Sequence, residues 1–322
     1  MMDQFENQST DFVQEWRDNA QAISGLYTPA DEHDACGVGM VAALDGKPRR
    51  DVVEAGIAAL KAVWHRGAVD ADGKTGDGAG IHVEIPQDFF ADAIHAGGAE
   101  SGVDSQIAVG MIFLPKTDIA AQERCRQIIE SEILAFGYSI YGWRQVPINT
   151  DCIGEKANAT RPEIEQILIR NLPGSGEEEF ERDLYVIRRK IEKSAIANQV
   201  DLYVCSLSCR SLIYKGMFLA EHLTEFYPDL LDPRFVSRFA IYHQRYSTNT
   251  FPTWKLAQPF RRLAHNGEIN TISGNVNWMK SHETRLADPI LDPYMDDLKP
   301  VVQAQGSDTA CFDNVFELLT FA

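Results

Sequence analysis

"DLYVCSLSCRSLIYKGM", residues 201–217, carries two short apolar runs separated by Ser, Cys and Arg, and it reads as a β-hairpin. Working outward, "VGMVAAL" (38–44), "IHVEI" (81–85), "QIAVGMIFL" (106–114), "YSIYGWRQVPI" (138–148) and "RFAIYHQRYST" (238–248) are further runs of strand length. Residues 162–195 read as a strand, a Gly/Glu-rich turn and a helix. Helical spacing recurs at Val52, Val53, Ile57, Leu60, Val63 and Trp64, again over 118–136, and in a closing helix over 308–319. Strands run into hairpins more often than into strand-helix-strand alternation. That pattern predicts a layered α+β fold rather than a doubly wound parallel sheet.

Composition narrows the function. With 322 residues and 44% apolar content, the chain can bury a sizeable core. Its formal charge of −17 opposes a nucleic-acid or anionic-membrane surface, since both need clustered Lys and Arg. No apolar run approaches the roughly 20 residues that span a bilayer, and residues 1–35 lack the apolar segment of a secretory signal. The cysteines at 36, 125, 152, 205, 209 and 311 have neither disulfide-scaffold density nor a CxxC pair. The expectation is a reduced, cytoplasmic protein that binds small molecules or other proteins, with no nucleic acid and no membrane.

Several glycine and cysteine patterns mislead. "GAVDADGKT" (67–75) ends like a phosphate-binding loop, but its Gly spacing is one residue too long and its aspartates would repel phosphate. Lys74 stands where a calcium loop wants an oxygen ligand. "GVGMVA" (37–42) follows a linker and precedes a strand, the reverse of a dinucleotide turn. Cys205 and Cys209 should point the same way from one strand, as packing groups rather than zinc ligands.

The polar groups concentrate in "HQRYSTNTFPTWKLAQPFRRLAHNGEINTISGNVNW" (243–278). Arg245 can clamp a carboxylate in a bidentate pair, and Asn266-Gly267 can offer two N–H groups to one developing oxyanion. Asp308, where a loop enters a helix, either caps that helix or holds an ammonium group. Two nucleophile arrangements are open. A cysteine could pair with His243 or His265. Alternatively, removal of residues 1–35 would make Cys36 the N-terminus, with an amine of pKa about 7.7–8.0 beside a thiol near 8.5.

The blocks "DACGVG", "WHRGAVDADGKTGDGAGI", "YGWRQVPIN", "HQRYSTNTFPTWKLAQPFRRLAHNGEINT", "GNVNWM" and "SDTACFDNVFELL" together resemble the class II, N-terminal-nucleophile glutamine amidotransferases, in the branch found in glutamate synthases. The resemblance runs from Cys36 to the end of the chain. It implies a four-layer αββα sandwich of two antiparallel sheets over 36–322 and a cleaved leader over 1–35. It makes Cys36 the nucleophile, Asn266 and Gly267 the oxyanion site, Arg245 the partner of the glutamine α-carboxylate and Asp308 that of its α-amino group. Thr248 matches a position that contacts substrate, and the glycine loop 66–80 should lie near the site.

The same branch carries FMN and an iron–sulfur cluster further along the polypeptide, together with a small subunit. The chain is therefore expected to be a fragment, truncated within its amidotransferase domain, with neither cofactor nor metal of its own. Ser273 departs from the pattern, which has a basic residue there. Two other readings are an amidotransferase of the same class with a different acceptor, and an inactive glutamine-binding or docking remnant.

Overall fold

The structure is a computed structural model that describes residues 37–64, 67–98, 105–244, 251–265, 269–304 and 306–322. The chain divides into two units, Met1–Cys36 and Gly37–Ala322, and every described residue belongs to the second. Its main elements are β1 Val38–Ala42, α1 Arg50–Ala62, β2 Ala79–Glu84, α2 Gln87–Ala96, β3 Ile107–Leu114, α3 Ile119–Ala135, β4 Ser139–Gln145, β5 Glu163–Arg170, α4 Glu177–Ala197, β6 Tyr203–Ser208, β7 Ser211–Gly216, β8 Phe239–Gln244, α5 Ile272–Glu283 and α6 Asp308–Phe321. They form two four-stranded sheets, ordered β1-β8-β2-β7 and β4-β5-β3-β6. All the pairings are antiparallel. The α+β class with two antiparallel sheets is as the sequence predicts.

The opening stretch is not a hairpin, however. β6 pairs with β3 in the second sheet and β7 with β2 in the first, so Cys209 and Arg210 carry the chain from one sheet to the other. A buried carboxylate sets this corner. Glu181 of α4 accepts hydrogen bonds from Ser208 Oγ and from the Cys209 N–H, each at 2.8 Å. Ser208 Oγ in turn accepts from the N–H groups of Arg210 and Ser211. The main-chain donors of the turn are thus satisfied by side chains instead of by a facing strand. Among the described strands only β4 and β5 are both consecutive and paired. The class holds, but most of its pairing is long-range.

A register shift between Met111 and Ile112 leaves Cys205 as the extra residue of a bulge in β6. It breaks the alternation of the strand, and Cys205 and Cys209 enter different apolar clusters instead of sharing a face.

β3 is buried along its whole length and faces two cores. Ala108, Ile112 and Leu114 pack with Cys125, Ile129 and Ile133 of α3 and with Phe180, Leu184 and Ile187 of α4. Ile107, Val109, Met111 and Phe113 join Ala79, Ile81 and Val83 of β2 and Val53, Ile57 and Leu60 of α1 in the other. Each fully buried aliphatic side chain contributes about 1.5–3 kcal/mol, so β3 contributes to both cores of the fold.

The "GWRQ" block proves to be structural. Arg144 of β4 forms a bidentate pair with Asp229, both contacts at 2.7 Å, and donates to Gln166 of β5 at 2.8 Å. Gln166 donates to Tyr214 of β7, whose hydroxyl donates to Asp229 at 2.9 Å. Four polar groups from two sheets and one turn thereby close a ring in which each buried atom has a partner.

Candidate active site

The site is built outward from the β1/β8 pair. Val38 lies opposite His243 and Ala42 opposite Phe239, and the pairing ends with Gln244 N–H donating to Gly37 O at 2.6 Å. Two strand ends therefore stop side by side at Gly37 and Gln244. The next residues along the chain are Cys36 and Arg245, which lie outside the described residues, as do Thr248, Asn266 and Gly267. Of the expected site residues, Asp308 is described.

The glycine-rich loop starts on the same strand end. Gln244 Nε2 donates to Trp64 O at 3.4 Å, and a Cβ at Gly67 would lie 2.1 Å from that nitrogen. A larger residue at 67 would force the Gln244 carboxamide to shift. Further along, Asp72 Oδ1 accepts from the N–H groups of Lys74 and Thr75 at 3.0 and 2.7 Å, while Lys156 Nζ reaches Asp70 at 2.6 Å. The Thr75 hydroxyl and these N–H groups hold the Asp72 carboxyl well below the usual carboxylate range, and Lys156 lowers that of Asp70. These carboxylates are engaged in shaping the loop.

The segment that leads into Asn266 is held more firmly. Gln258, 1% exposed, donates from Nε2 to His265 O at 2.9 Å and accepts at Oε1 from His265 N–H at 3.0 Å. The Gln258 carbonyl oxygen would be 2.5 Å from a Cβ at Gly80, so its backbone rests directly on β2. Phe260 N–H donates to Leu263 O at 2.9 Å, and Arg262 N–H donates to Asp313 Oδ1 at 2.8 Å.

On the far side of residues 266–268, Ile269 N–H donates to Asp308 Oδ2 at 3.1 Å. Asp308 is the first residue of α6, and the cap is its neighbour: Ser307 Oγ accepts from Ala310 N–H at 3.2 Å. A carboxylate in this first turn also meets the positive end of the helix dipole. Two residues beyond Ile269, Thr271 sits in the left-handed region at φ 59°, a conformation that costs a branched residue about 1–2 kcal/mol. α5 begins there and buries none of its residues; Ser273, the departure from the family pattern, is exposed on it.

A buried ionic network underlies these segments. Arg188 pairs with Glu192 and Glu317, Arg261 with Glu192 at 3.2 Å, and Arg261 also lies 3.6 Å from Asp313 Oδ2 without hydrogen bonding it. Burial, reinforced by Glu317, pushes the Asp313 carboxyl up to about 6. Burial, with help from the charge of Arg262, pushes His82 down to about 4. Nothing local in the sequence marks Gln258, an uncharged residue bonded to a main chain seven residues on, or Asp313, whose partners Arg261 and Arg262 lie in a distant segment.

The described thiols suit packing rather than metal chemistry. Burial raises Cys125 and Cys152 to about 11 and Cys205 to about 12. Among the described residues, the group with metal-ligand proximity is Cys152, His222 and Glu225, and its atoms are engaged: the Cys152 thiol donates to Asn149 O, and His222 Nδ1 is 3.1 Å from Glu225. One thiol there does not fit the four thiolates of an iron–sulfur cluster. No helix among the described residues is long and apolar enough to cross a membrane.

Two antiparallel four-stranded sheets in an α+β frame give an architecture of the kind built by N-terminal-nucleophile hydrolases. The chain belongs to the class II glutamine amidotransferases: the family model described as "Glutamine amidotransferases class-II" matches residues 36–322. It is 66% identical to the glutamate synthase [NADPH] large chain of Azospirillum brasilense over 319 residues, which cover 98% of this chain and 21% of that protein. It is 42% identical to the chloroplastic ferredoxin-dependent glutamate synthase of Spinacia oleracea, over 93% of this chain and 18% of that one. Against the glutamate synthase [NADPH] large chain of Bacillus subtilis the identity is 40%, over 92% of this chain and 20% of the relative. The chain thus spans about a fifth of the length of the curated relatives it matches.

Proposed function

We propose that the chain is the glutamine-hydrolysing part of a glutamate synthase large chain, and that it acts on L-glutamine through Cys36 once residues 1–35 are removed. The observation that carries this reading is the β1/β8 pairing, in which Gly37 and Gln244 are hydrogen-bonded neighbours. A cysteine and an arginine are the next residues on the two strands. The family match, which begins at residue 36, supports the same boundary.

In this mechanism the free amine of Cys36 takes the thiol proton, and the thiolate attacks the side-chain amide carbon of glutamine. The Asn266 side chain and the Gly267 N–H receive the oxyanion. The tetrahedral centre collapses as the C–N bond breaks, and the protonated amine gives its proton to the leaving ammonia. Water then cleaves the γ-glutamyl thioester to glutamate, regenerating the thiol. Arg245 holds the α-carboxylate, and Asp308, whose Oδ2 is committed to Ile269, presents its other oxygen to the α-ammonium. Thr248 adds a substrate contact.

The ammonia would be passed to 2-oxoglutarate by the remaining domains of a full-length glutamate synthase. FMN, the iron–sulfur cluster and the contacts with the small subunit would lie in those domains, and the whole would work in the cytoplasm. Replacing Cys36 with Ala should reduce ammonia release from glutamine to background. Activity retained in that variant would refute the assignment.

A further inference from the structure

We propose that Gln258 is a positioning residue for the oxyanion site, its buried carboxamide fixing the peptide group of His265 that leads into Asn266 and Gly267. This rests on the glutaminase reading above. Both bonding ends of the Gln258 side chain meet the main chain of one residue, with Nε2 on His265 O at 2.9 Å and His265 N–H on Oε1 at 3.0 Å. A carboxamide used in this way imitates a facing strand, because it supplies one donor and one acceptor to the same backbone unit. Both main-chain polar groups of His265, the residue before Asn266 in the chain, are thereby held by one side chain.

The clamp is itself mounted on a rigid element. The Gln258 carbonyl lies where a Cβ on Gly80 of β2 would stand, at 2.5 Å, so any larger residue at position 80 would lift it. At the other end of the interval, Asp308 Oδ2 holds the Ile269 N–H at 3.1 Å. His265 and Ile269, the described residues on either side of 266–268, are thus each held by a side-chain-to-backbone hydrogen bond from a different part of the fold. Preorganisation of this kind is what an oxyanion site needs, because donors that must first be ordered stabilise the transition state less. A displacement of about 1 Å in such a site costs on the order of 10²-fold in rate.

The test uses the full chain, with wild type and Cys36→Ala as controls. Gln258→Met keeps the volume and removes both hydrogen bonds. Its kcat for glutamine hydrolysis should fall by roughly 10²-fold, with KM within about twofold and affinity for the aldehyde analogue of glutamine reduced in parallel with kcat. Gln258→Glu covers the case in which the Met variant does not fold. Its protonated carboxyl restores one donor and one acceptor, and burial raises its pKa. Its kcat relative to wild type should therefore rise several-fold between about pH 8 and pH 6.

A purely packing role for Gln258 would lower stability without separating kcat from KM and without this pH rescue. A Met variant with kcat within about threefold of wild type, or a Glu-to-wild-type ratio that is flat across pH, overturns the clamp alone. A wild type no more active than Cys36→Ala overturns the glutaminase reading and the clamp with it.

Discussion

The protein buries two ionic networks of similar chemistry and different placement. The ring of Arg144, Gln166, Tyr214 and Asp229 joins β4, β5 and β7 to one turn, and each of its members is hydrogen-bonded to another. The network of Arg188, Glu192, Arg261, Asp313 and Glu317 instead joins α4 to residues 261–262 and to α6, the segments that carry His265 and Asp308. The first ties regular elements to one another, whereas the second ties the fold to the candidate site. It is also the less completely satisfied of the two, with Asp313 Oδ2 lacking a hydrogen bond. The ring has its polar atoms paired, while the network beside the site keeps a buried carboxylate oxygen with no hydrogen bond.

The largest effect should come from breaking the ring. Asp229→Ala strands Arg144 and Tyr214 without their shared acceptor, and removing one partner of a buried pair costs about 3–5 kcal/mol. Denaturant melts should register that loss, with the glutaminase rate of the folded fraction unchanged. The converse substitution is Asp308→Asn, which keeps an acceptor for the Ile269 N–H but removes the charge. Stability should hold while KM for glutamine rises at least about tenfold, the scale of a lost hydrogen bond to a charged group of about 1.5–3 kcal/mol. A melt shifted as far as that of Asp229→Ala would erase the contrast between the two regions.

Acid titration sharpens the comparison further. Asp313 is raised from 3.8 to about 6, so the folded state favours its proton; that contribution is complete below about 3.8 and is lost as pH rises through about 6. His82 is depressed from 6.5 to about 4, so its contribution is complete above about 6.5 and is lost as pH falls through about 4. The two oppose each other in one window. Asp313→Asn should make stability fall more steeply between neutral and acid pH, and His82→Gln should make it fall less steeply. Urea melts at several pH values separate these outcomes. The smallest effect concerns Thr271: Asn tolerates the left-handed conformation better, and Thr271→Asn should add up to about 1 kcal/mol to stability.

Much of this fold was legible because strands announce themselves locally. The apolar runs at 38–44 and 106–114 and the helical spacing over 118–136 correspond to elements, and the run at 238–248 does so as far as Gln244, beyond which it leaves the described residues. Pairing was not legible in the same way. The Ser-Cys-Arg stretch at the end of β6 looks like a hairpin turn, yet Glu181 of α4 bonds it into a crossover between sheets. α2 went unread because Phe89, Phe90 and Ile94 leave only three buried positions in a short helix.

At the site, the entry of a loop into a helix at Asp308 was visible, although the cap is one residue earlier, at Ser307. Gln258 was invisible in its role, since an uncharged residue inside "LAQPF" gives no hint that both ends of its side chain reach His265.

The central claim is that Cys36 acts as an N-terminal nucleophile. Intact-mass measurement of the chain isolated with glutaminase activity, before and after reaction with a glutamine-mimicking electrophile, tests it most directly. The account predicts a mass that lacks residues 1–35 and a single adduct on the N-terminal Cys36. A chain that hydrolyses glutamine with its leader intact, or an adduct on another residue, would contradict it.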